Sequence, residues 1–193
     1  MKINHPLMHN NFLKSDMDAV RKLIKTKNLI LTQSQKVSEF EQKWSKWLGV
    51  RYSTFVSSGS SANYISISIL KVLNKNKYKK EIIVPTLTWI SDISSILLNG
   101  FKPIFVDINL ENLSMDIDQV LKKINKKTLG IFITHAQGFN GLNGKLLKAI
   151  NKHKLYLIED VCESHGATYK NKKLGTFGFC LLYTSPSPRD TEV

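Results

Sequence analysis

Residues 154–167 read KLYLIEDVCESHGA, an apolar run that stops abruptly at two adjacent acids. The run 155–158 has the length and composition of a buried β-strand. Glu159 and Asp160 follow it, and small and polar residues come next. Because strand side chains alternate between the two faces of a sheet, the two carboxylates are expected on opposite sides. One of them is predicted to face a ligand; the alternative is a loop acid that caps the following turn.

Further apolar runs alternate along the chain with segments of helical periodicity. Strands are predicted over residues 52–56, 82–84, 103–108, 129–134 and 155–158, and helices over about 15–25, 34–48, 64–73, 91–99, 115–123 and 145–153. The segment 64–73 also has the period of a strand, but its position after a small-residue turn favours a helix. This alternation predicts the α/β class, as a three-layer sandwich with a mostly parallel central sheet.

Composition narrows the function classes. The 193 residues suffice for one domain with a core. No apolar run reaches the roughly 18 residues of a membrane span, and the N-terminus lacks the apolar core of a signal peptide, so a soluble cytoplasmic protein is expected. Cys162 and Cys180 show no metal-finger spacing, so no metal site is predicted.

The net charge of +13 is nearly all lysine, spread along the chain. Nucleic acid is therefore not expected as a partner, because arginines and interleaved aromatics are scarce.

The last residues, FGFCLLYTSPSPRDTEV, include a stretch unlike the rest of the chain. The part CLLYTSPSPRD can be back-translated into a sequence that resembles a transposon-based sequencing adapter. We therefore predict that residues 180–193 are a non-native tail and that residues 1–179 are a partial domain with N-terminal helices. The alternative is a genuine flexible C-terminus.

Three other strand ends carry residues that suit a ligand site. Residues 57–61, SSGSS, precede a helix whose first N–H groups and positive dipole end can bind an anion such as phosphate, although a plain helix cap is the alternative. Trp89 closes the PTLTW motif and either stacks on a flat ring or fills the core. His135 follows the strand 129–134 and is either a hydrogen-bond donor at the site or structural.

Taken together, these motifs resemble the DegT/StrS-type sugar aminotransferases, which are fold-type I pyridoxal 5'-phosphate (PLP) enzymes. The motifs are SGSSA, PTLTW, FKPIFVDI, LSMD, THAQG and IEDVCESHGATYKNKKLGTFG, in this order. The resemblance extends from TQSQKVSEFEQKW to Gly178. It implies that residues 1–179 form a truncated PLP-binding large domain of that fold.

The resemblance implies a role in PLP binding for five residues. Gly59 and Ser60 match the Gly-Thr pair that holds the cofactor's phosphate, and Trp89 matches the aromatic residue that stacks on the pyridine ring. Asp160 matches the aspartate that keeps the ring nitrogen protonated, which PLP needs in order to act as an electron sink. Glu163 stands where Gln or His near the phenolic oxygen is common. This is a departure, since a carboxylate beside a phenolate is unfavourable.

The residue that decides the reaction is missing from the pattern. In the family, a lysine that forms a Schiff base with PLP follows the GTFG segment, and no lysine occurs here after Lys173. We therefore assign no catalytic residue, expect that lysine beyond Gly178 in the parent, and expect this fragment to be inactive and poorly soluble. The resemblance implies a parent transaminase of nucleotide-linked keto-sugars for amino-sugar and surface polysaccharide biosynthesis. Glutamate would be its amino donor, and the parent would be a homodimer.

Two alternatives stay open. Family members with His in place of the lysine are PLP- or PMP-dependent deoxysugar 3-dehydratases, and the VCESHG wording is compatible with that group. The other alternative is a non-catalytic module that binds phosphate or a nucleotide.

Overall fold

The computed structural model describes residues 12–182, and a five-stranded sheet lies at its centre. The strand order is β2-β1-β3-β4-β7, and every pair of neighbours in it is parallel. The strands of this sheet are β1 (Glu81–Pro85), β2 (Lys102–Val106), β3 (Thr128–Thr134), β4 (Tyr156–Asp160) and β7 (Cys180–Leu182). The helices are α1 (Lys14–Ile24), α2 (Gln35–Leu48), α3 (Gly59–Leu73), α4 (Ile90–Leu98), α5 (Ile117–Lys123) and α6 (Gly144–His153). A short antiparallel hairpin of β5 (Thr168–Tyr169) and β6 (Lys172–Lys173) lies outside the sheet.

Strand alternation divides the core into two halves, one on each face of the sheet. On one face, Ile82 and Val84 pack with Ile67 of α3 and Ile96 of α4. On the other face, Ile83 packs in a cluster that also holds Val120 of α5 and Leu146 of α6. Helices on both faces explain the continuously apolar strands. The predicted three-layer α/β sandwich with a parallel sheet is confirmed.

The segment 64–73, which had two possible periods, is helical. Ile67 and Leu70 of α3 are fully buried, whereas Ser68 lies at the edge and donates a hydrogen bond to the Asn99 side chain. Ser66 is buried as well, while Ile65 and Ile69 are at least 40% exposed, so burial recurs at positions 63, 66, 67 and 70 with the period of a helix. Burial of the isoleucine and leucine decides between the two patterns.

One predicted strand is absent and several predicted bounds differ: α3 begins at Gly59 and not at 64, and β2 ends at Val106 and not at 108. Residues 52–56 form no strand; Tyr52 and Phe55 are exposed, and the N–H of Phe55 donates to the Glu41 carboxylate and not to a strand. Helix α5 begins two residues later than predicted because Asp116 caps it, accepting hydrogen bonds from the N–H groups of Asp118 and Gln119.

The N-terminal helix is the least packed of the six. It begins at Lys14, one residue before the predicted start, and the Asp16 carboxylate accepts a hydrogen bond from the N–H of Leu13. None of its residues is buried, and the apolar side chains of Val20 and Ile24 are more than half exposed. An amphipathic helix with an uncovered apolar face contributes little to the stability of the described domain.

Strand β7 falls at the start of the predicted non-native tail. Its backbone pairs with β4, with Asp160 opposite Leu182. An apolar triplet such as Cys-Leu-Leu suits a buried strand whatever its origin, so the prediction for residues 180–193 stays a prediction. Residues 183–193 lie outside the described part of the chain. Within residues 12–182, no helix is both long and apolar enough to cross a membrane.

Candidate active site

Three central strands end side by side, and the loops that follow them meet at one edge of the sheet. Thr134, the last residue of β3, is in register with Asp160, the last residue of β4. β1 ends at Pro85 beside β3, and the loop to α4 follows. Ligands bind at this carboxyl edge in open parallel sheets.

A pair of buried carboxyl groups lies at this edge. Asp160 is 3% exposed, and its Oδ1 accepts a 2.9 Å hydrogen bond from the N–H of Cys162. Asp92, in the first turn of α4, is completely buried and bonds to Thr134, the residue in register with Asp160 on the neighbouring strand. Both acids thus belong to the ordered interior of the domain, and neither is a solvated loop residue.

Neutral polar groups surround Asp92 on its other sides. Asn63 of α3 donates from Nδ2 to Asp92 Oδ1 at 2.6 Å. Thr134 Oγ1 lies 2.9 Å from Asp92 Oδ2, and Thr88 Oγ1 contacts the same oxygen more closely. The two threonine hydroxyls are 2.6 Å apart. Asp92 therefore links α3, the loop after β1, β3 and β4 in one network.

The environment of Asp92 favours its protonated form. Burial is the largest cause, and the negative charge of Asp160 adds to it; together they raise the pKa of Asp92 to about 8. The hydroxyls of Thr88 and Thr134 oppose this shift because they stabilise the ionised carboxylate.

The predicted anion cradle is the start of α3. The helix begins at Gly59, and Ser58 caps it by accepting a hydrogen bond from the N–H of Ser61. Gly59 and Ser60 lie in its first turn, where backbone N–H groups have no partner within the helix. Asn63, one turn later, bonds to Asp92, so the first turns of α3 lie near the carboxyl pair. This arrangement suits an anion close to Asp160.

Trp89 has an exposed ring. It stands at the cap of α4, next to Thr88 of the carboxyl network, and its side chain is 60% exposed. The structure therefore does not use Trp89 as core filler. An exposed indole at a ligand edge is free to cover one face of a flat ring.

Glu163 lies on an exposed loop after β4. Its Oε2 accepts a 2.9 Å hydrogen bond from the N–H of Gln137 and a 3.3 Å hydrogen bond from the Gln137 side chain. Gln137 has a φ of 54° in the turn after β3. Glu163 thus ties the loops after β3 and β4 together on the outside of the same edge.

Glu159 points to the other face of the sheet, as strand alternation predicts. Its carboxylate accepts hydrogen bonds from the N–H groups of Gly175 at 2.9 Å, Phe177 at 2.9 Å and Gly178 at 2.6 Å. It also pairs with His135, which is buried on the same side. These contacts give both residues a structural role. The option of His135 as a donor at the ligand site is not supported.

Four residues of the network were not predicted as site residues from the sequence: Asn63, Thr88, Asp92 and Thr134. Asp92 carries a visible signal, since it is an acid inside the otherwise apolar and small-residue helix ISDISSILL. An acid on the buried side of such a helix needs a partner. Among residues 12–182, no group of three or more His, Cys, Asp or Glu side chains is arranged to hold a metal ion.

The arrangement can hold a particular kind of ligand. Asp160 offers a buried carboxylate to a protonated nitrogen, the start of α3 offers N–H groups to an anion, and Trp89 offers an aromatic face. A flat, nitrogen-containing ring with a phosphate group combines these three features.

Two proteins of known function and one solved structure are similar to most of this chain. A GDP-4-keto-6-deoxy-D-mannose 3-dehydratase of Escherichia coli O55:H7 is 32% identical over 185 residues, which are 95% of this chain and 47% of that protein. A GDP-perosamine synthase of Vibrio cholerae is 33% identical over 149 residues, 77% of this chain and 40% of that protein. The solved structure of the E. coli 3-dehydratase with bound hydrated PLP superposes with a TM-score of 0.84 at 32% identity, covering 92% of this chain and 46% of that one.

The chain spans about half the length of these relatives. The model of the DegT/DnrJ/EryC1/StrS aminotransferase family matches residues 11–184, which is nearly the whole chain. This chain therefore belongs to the DegT/DnrJ/EryC1/StrS aminotransferase family.

Proposed function

We propose that the chain is the cofactor-binding part of a PLP-dependent enzyme that acts on a nucleotide-linked keto-sugar. The observation that carries this proposal is Asp160, a buried carboxylate at the end of a central parallel strand. PLP, when bound, supplies an electron sink that depends on a protonated ring nitrogen. A buried carboxylate stabilises that proton by direct charge attraction.

The other predicted site residues have positions that support the same cofactor. Gly59 and Ser60 would hold the phosphate with backbone N–H groups and the Ser60 hydroxyl at the start of α3. Trp89 would cover one face of the ring with its exposed indole. Glu163 would lie near the phenolic oxygen, where its hydrogen bonds from Gln137 hold the carboxylate aside and reduce repulsion.

Deoxysugar 3-dehydration is the reaction we favour. The 3-dehydratase relative matches 95% of this chain, whereas the perosamine synthase relative matches 77%. The sequence motif VCESHG at residues 161–166 is also compatible with the dehydratase type. A histidine would then follow the GTFG segment in the parent protein.

Transamination, the reaction expected from the sequence, is the second candidate. It is favoured by the 33% identity with a GDP-perosamine synthase. Here a lysine would follow the GTFG segment, and glutamate would donate the amino group. In both cases the parent is proposed to be a cytoplasmic homodimer. The exposed apolar side chains of α3 and α4, such as Ile65 and Leu98, support an interface.

Product analysis distinguishes these reactions. The parent-length protein is incubated with PLP, glutamate and a GDP-linked 4-keto-6-deoxy sugar, and the sugar product is analysed by mass spectrometry. A product that has lost oxygen and gained no nitrogen supports the dehydratase, and a product that carries nitrogen from labelled glutamate supports the transaminase. A protein that binds no PLP and leaves the sugar unchanged contradicts both and favours a non-catalytic binding module.

A further inference from the structure

We propose that Asp92 and Asp160 share one proton, that Asp92 is the protonated partner, and that Asp92 thereby positions Asp160 as the ionised carboxylate of the site. The part that concerns the cofactor rests on the function proposed above. The shared proton itself is a property of this chain.

The first argument is a count of protons. Asp92 Oδ2, Thr88 Oγ1 and Thr134 Oγ1 are in mutual contact, with 2.9 Å between Thr134 and Asp92 and 2.6 Å between the threonines. The two threonines supply only two hydroxyl protons. Unprotonated carboxylates supply none, so the pair must hold at least one proton of its own.

The second argument identifies which acid holds the proton. Asp160 accepts from the backbone N–H of Cys162, a group that can only donate and so offers no acceptor for a carboxyl proton. The threonine hydroxyls beside Asp92 can rotate and become acceptors. A proton on Asp92 Oδ2 therefore has acceptors in reach, while Oδ1 still accepts from Asn63.

The third argument is electrostatic. Asp92 is completely buried, and the charge that acts most strongly on it is that of Asp160 on β4. The groups that face it from α3, from the loop after β1 and from β3 are the neutral side chains of Asn63, Thr88 and Thr134. Two negative charges in this neutral, dry surrounding would repel each other without compensation, so one proton is retained.

The consequence for the site is one negative charge with a fixed orientation. A protonated Asp92 keeps its proton among the threonine hydroxyls and leaves Asp160 as the charged member of the pair. The free side of Asp160 then faces the protonated nitrogen of a ligand. Asp92 is thus a positioning residue, which acts through Asp160 and does not itself contact the ligand.

Infrared spectroscopy of the cofactor-free protein tests the proton directly. Only a protonated carboxyl group gives a carboxylic-acid C=O band, and at about pH 7 ordinary Asp and Glu residues are ionised. The wild-type protein is expected to show this band at about pH 7, Asp92→Asn to lose it, and the exposed control Glu111→Gln to keep it. A folded wild type without the band, or a band that persists in Asp92→Asn, overturns the proposal.

A second variant keeps the test decisive if Asp92→Asn does not fold. In Asp160→Asn the neighbouring charge is gone, so the band is expected to disappear at a lower pH than in the wild type. An unchanged midpoint contradicts the coupling of the two acids. Because neither measurement uses PLP, a failure here is distinct from a failure of the proposed function.

The positioning role has its own measurement in the parent-length protein. Asp92→Ala is expected to weaken PLP affinity about tenfold, which corresponds to one lost hydrogen bond. Asp92→Asn keeps a neutral donor toward the threonine hydroxyls and is expected to restore most of that affinity. Equal losses in both variants contradict a role for a neutral, hydrogen-bonding side chain at position 92.

Discussion

The imidazole of His135 and the carboxylate of Glu159 form a buried pair, with 3.3 Å between Nε2 and Oε2 and both side chains shielded from solvent. The N–H of Gly141 donates to His135 Nδ1, so in the neutral ring Nε2 carries the hydrogen and donates to Glu159. Glu159 thus holds the segment from Gly175 to Gly178 against the sheet. All hydrogen-bond partners of its carboxylate are donors. This segment leads toward the position at which the family has its lysine or histidine.

Replacement of Glu159 by Gln is expected to lower the free energy of unfolding by about 1–3 kcal/mol. The new amide group has two N–H bonds that meet other donors, so one side of the network becomes repulsive. Chemical denaturation of the wild type and Glu159→Gln measures the loss. Glu111→Gln, an exposed change of the same chemistry, is the control and is expected to stay within about 0.5 kcal/mol. Equal stability of the two variants would contradict the structural role of Glu159.

Gly130 in β3 is expected to tolerate no side chain. A Cβ there would lie 2.7 Å from the backbone oxygen of Tyr156, in the neighbouring central strand. Since that strand cannot move without breaking the sheet, Gly130→Ala is expected to lose about 1–3 kcal/mol. Gly144→Ala is the matched control, because a Cβ at Gly144 meets nothing within 4 Å. Equal melting temperatures of Gly130→Ala and Gly144→Ala in thermal denaturation would contradict the close approach of Gly130 to Tyr156.

The buried proton of Asp92 makes stability depend on pH. Its pKa is raised from 3.8 to about 8 in the folded protein, so between these values the folded state binds more protons than the unfolded state. The free energy of unfolding is therefore expected to fall as pH rises from about 4 to about 8. Across this range, the free energy of unfolding from denaturation curves is expected to change less with pH for Asp92→Asn than for the wild type. If the slope of the unfolding free energy against pH is the same in Asp92→Asn as in the wild type, the pH dependence comes from other groups.

Trp89 is expected to matter for binding and not for folding. Its ring is 60% exposed, so Trp89→Ala should change the unfolding free energy of the cofactor-free protein by less than about 0.5 kcal/mol. Loss of a stacking partner is expected to weaken PLP affinity several-fold, by about 0.5–1.5 kcal/mol, and Trp89→Phe is expected to recover part of it. Tyr78→Ala, at an exposed tyrosine in the loop between α3 and β1, serves as control. A large loss of stability with unchanged PLP affinity would make Trp89 a packing residue.

The fold was predictable because its strongest signals are local. Local patterns predict buried parallel strands without any knowledge of contacts. Examples are the run IIV at 82–84 and the run LYLI that ends at the acid pair. The start of α5 was harder to predict, because Met115 fits the helical pattern. In the structure Met115 is buried and forms a β-bridge with Ile108. The extended residues 52–56 have strand composition, but they find no neighbouring strand among residues 12–182.

The candidate site was predictable only in part. Asp160 and Glu159 were separated correctly by the period of a strand, because that rule needs no distant information. The carboxyl network was not, because it joins residues from four separate segments, and nothing in the pattern reveals that Asn63 and Asp92 meet across 29 positions. Only packing of α3 against α4 brings them together. The raised pKa of Asp92 follows from that packing and has no counterpart in the sequence.

The most direct test of the central claim is the affinity of the parent-length protein for PLP, measured by titration for the wild type and Asp160→Asn. The account predicts that the wild type binds PLP and that Asp160→Asn binds it at least about tenfold more weakly, since the ring nitrogen loses its charged partner. The exposed control Asp118→Asn should bind like the wild type. Equal affinity of the wild type and Asp160→Asn, or a folded wild type that does not bind PLP, would contradict the account.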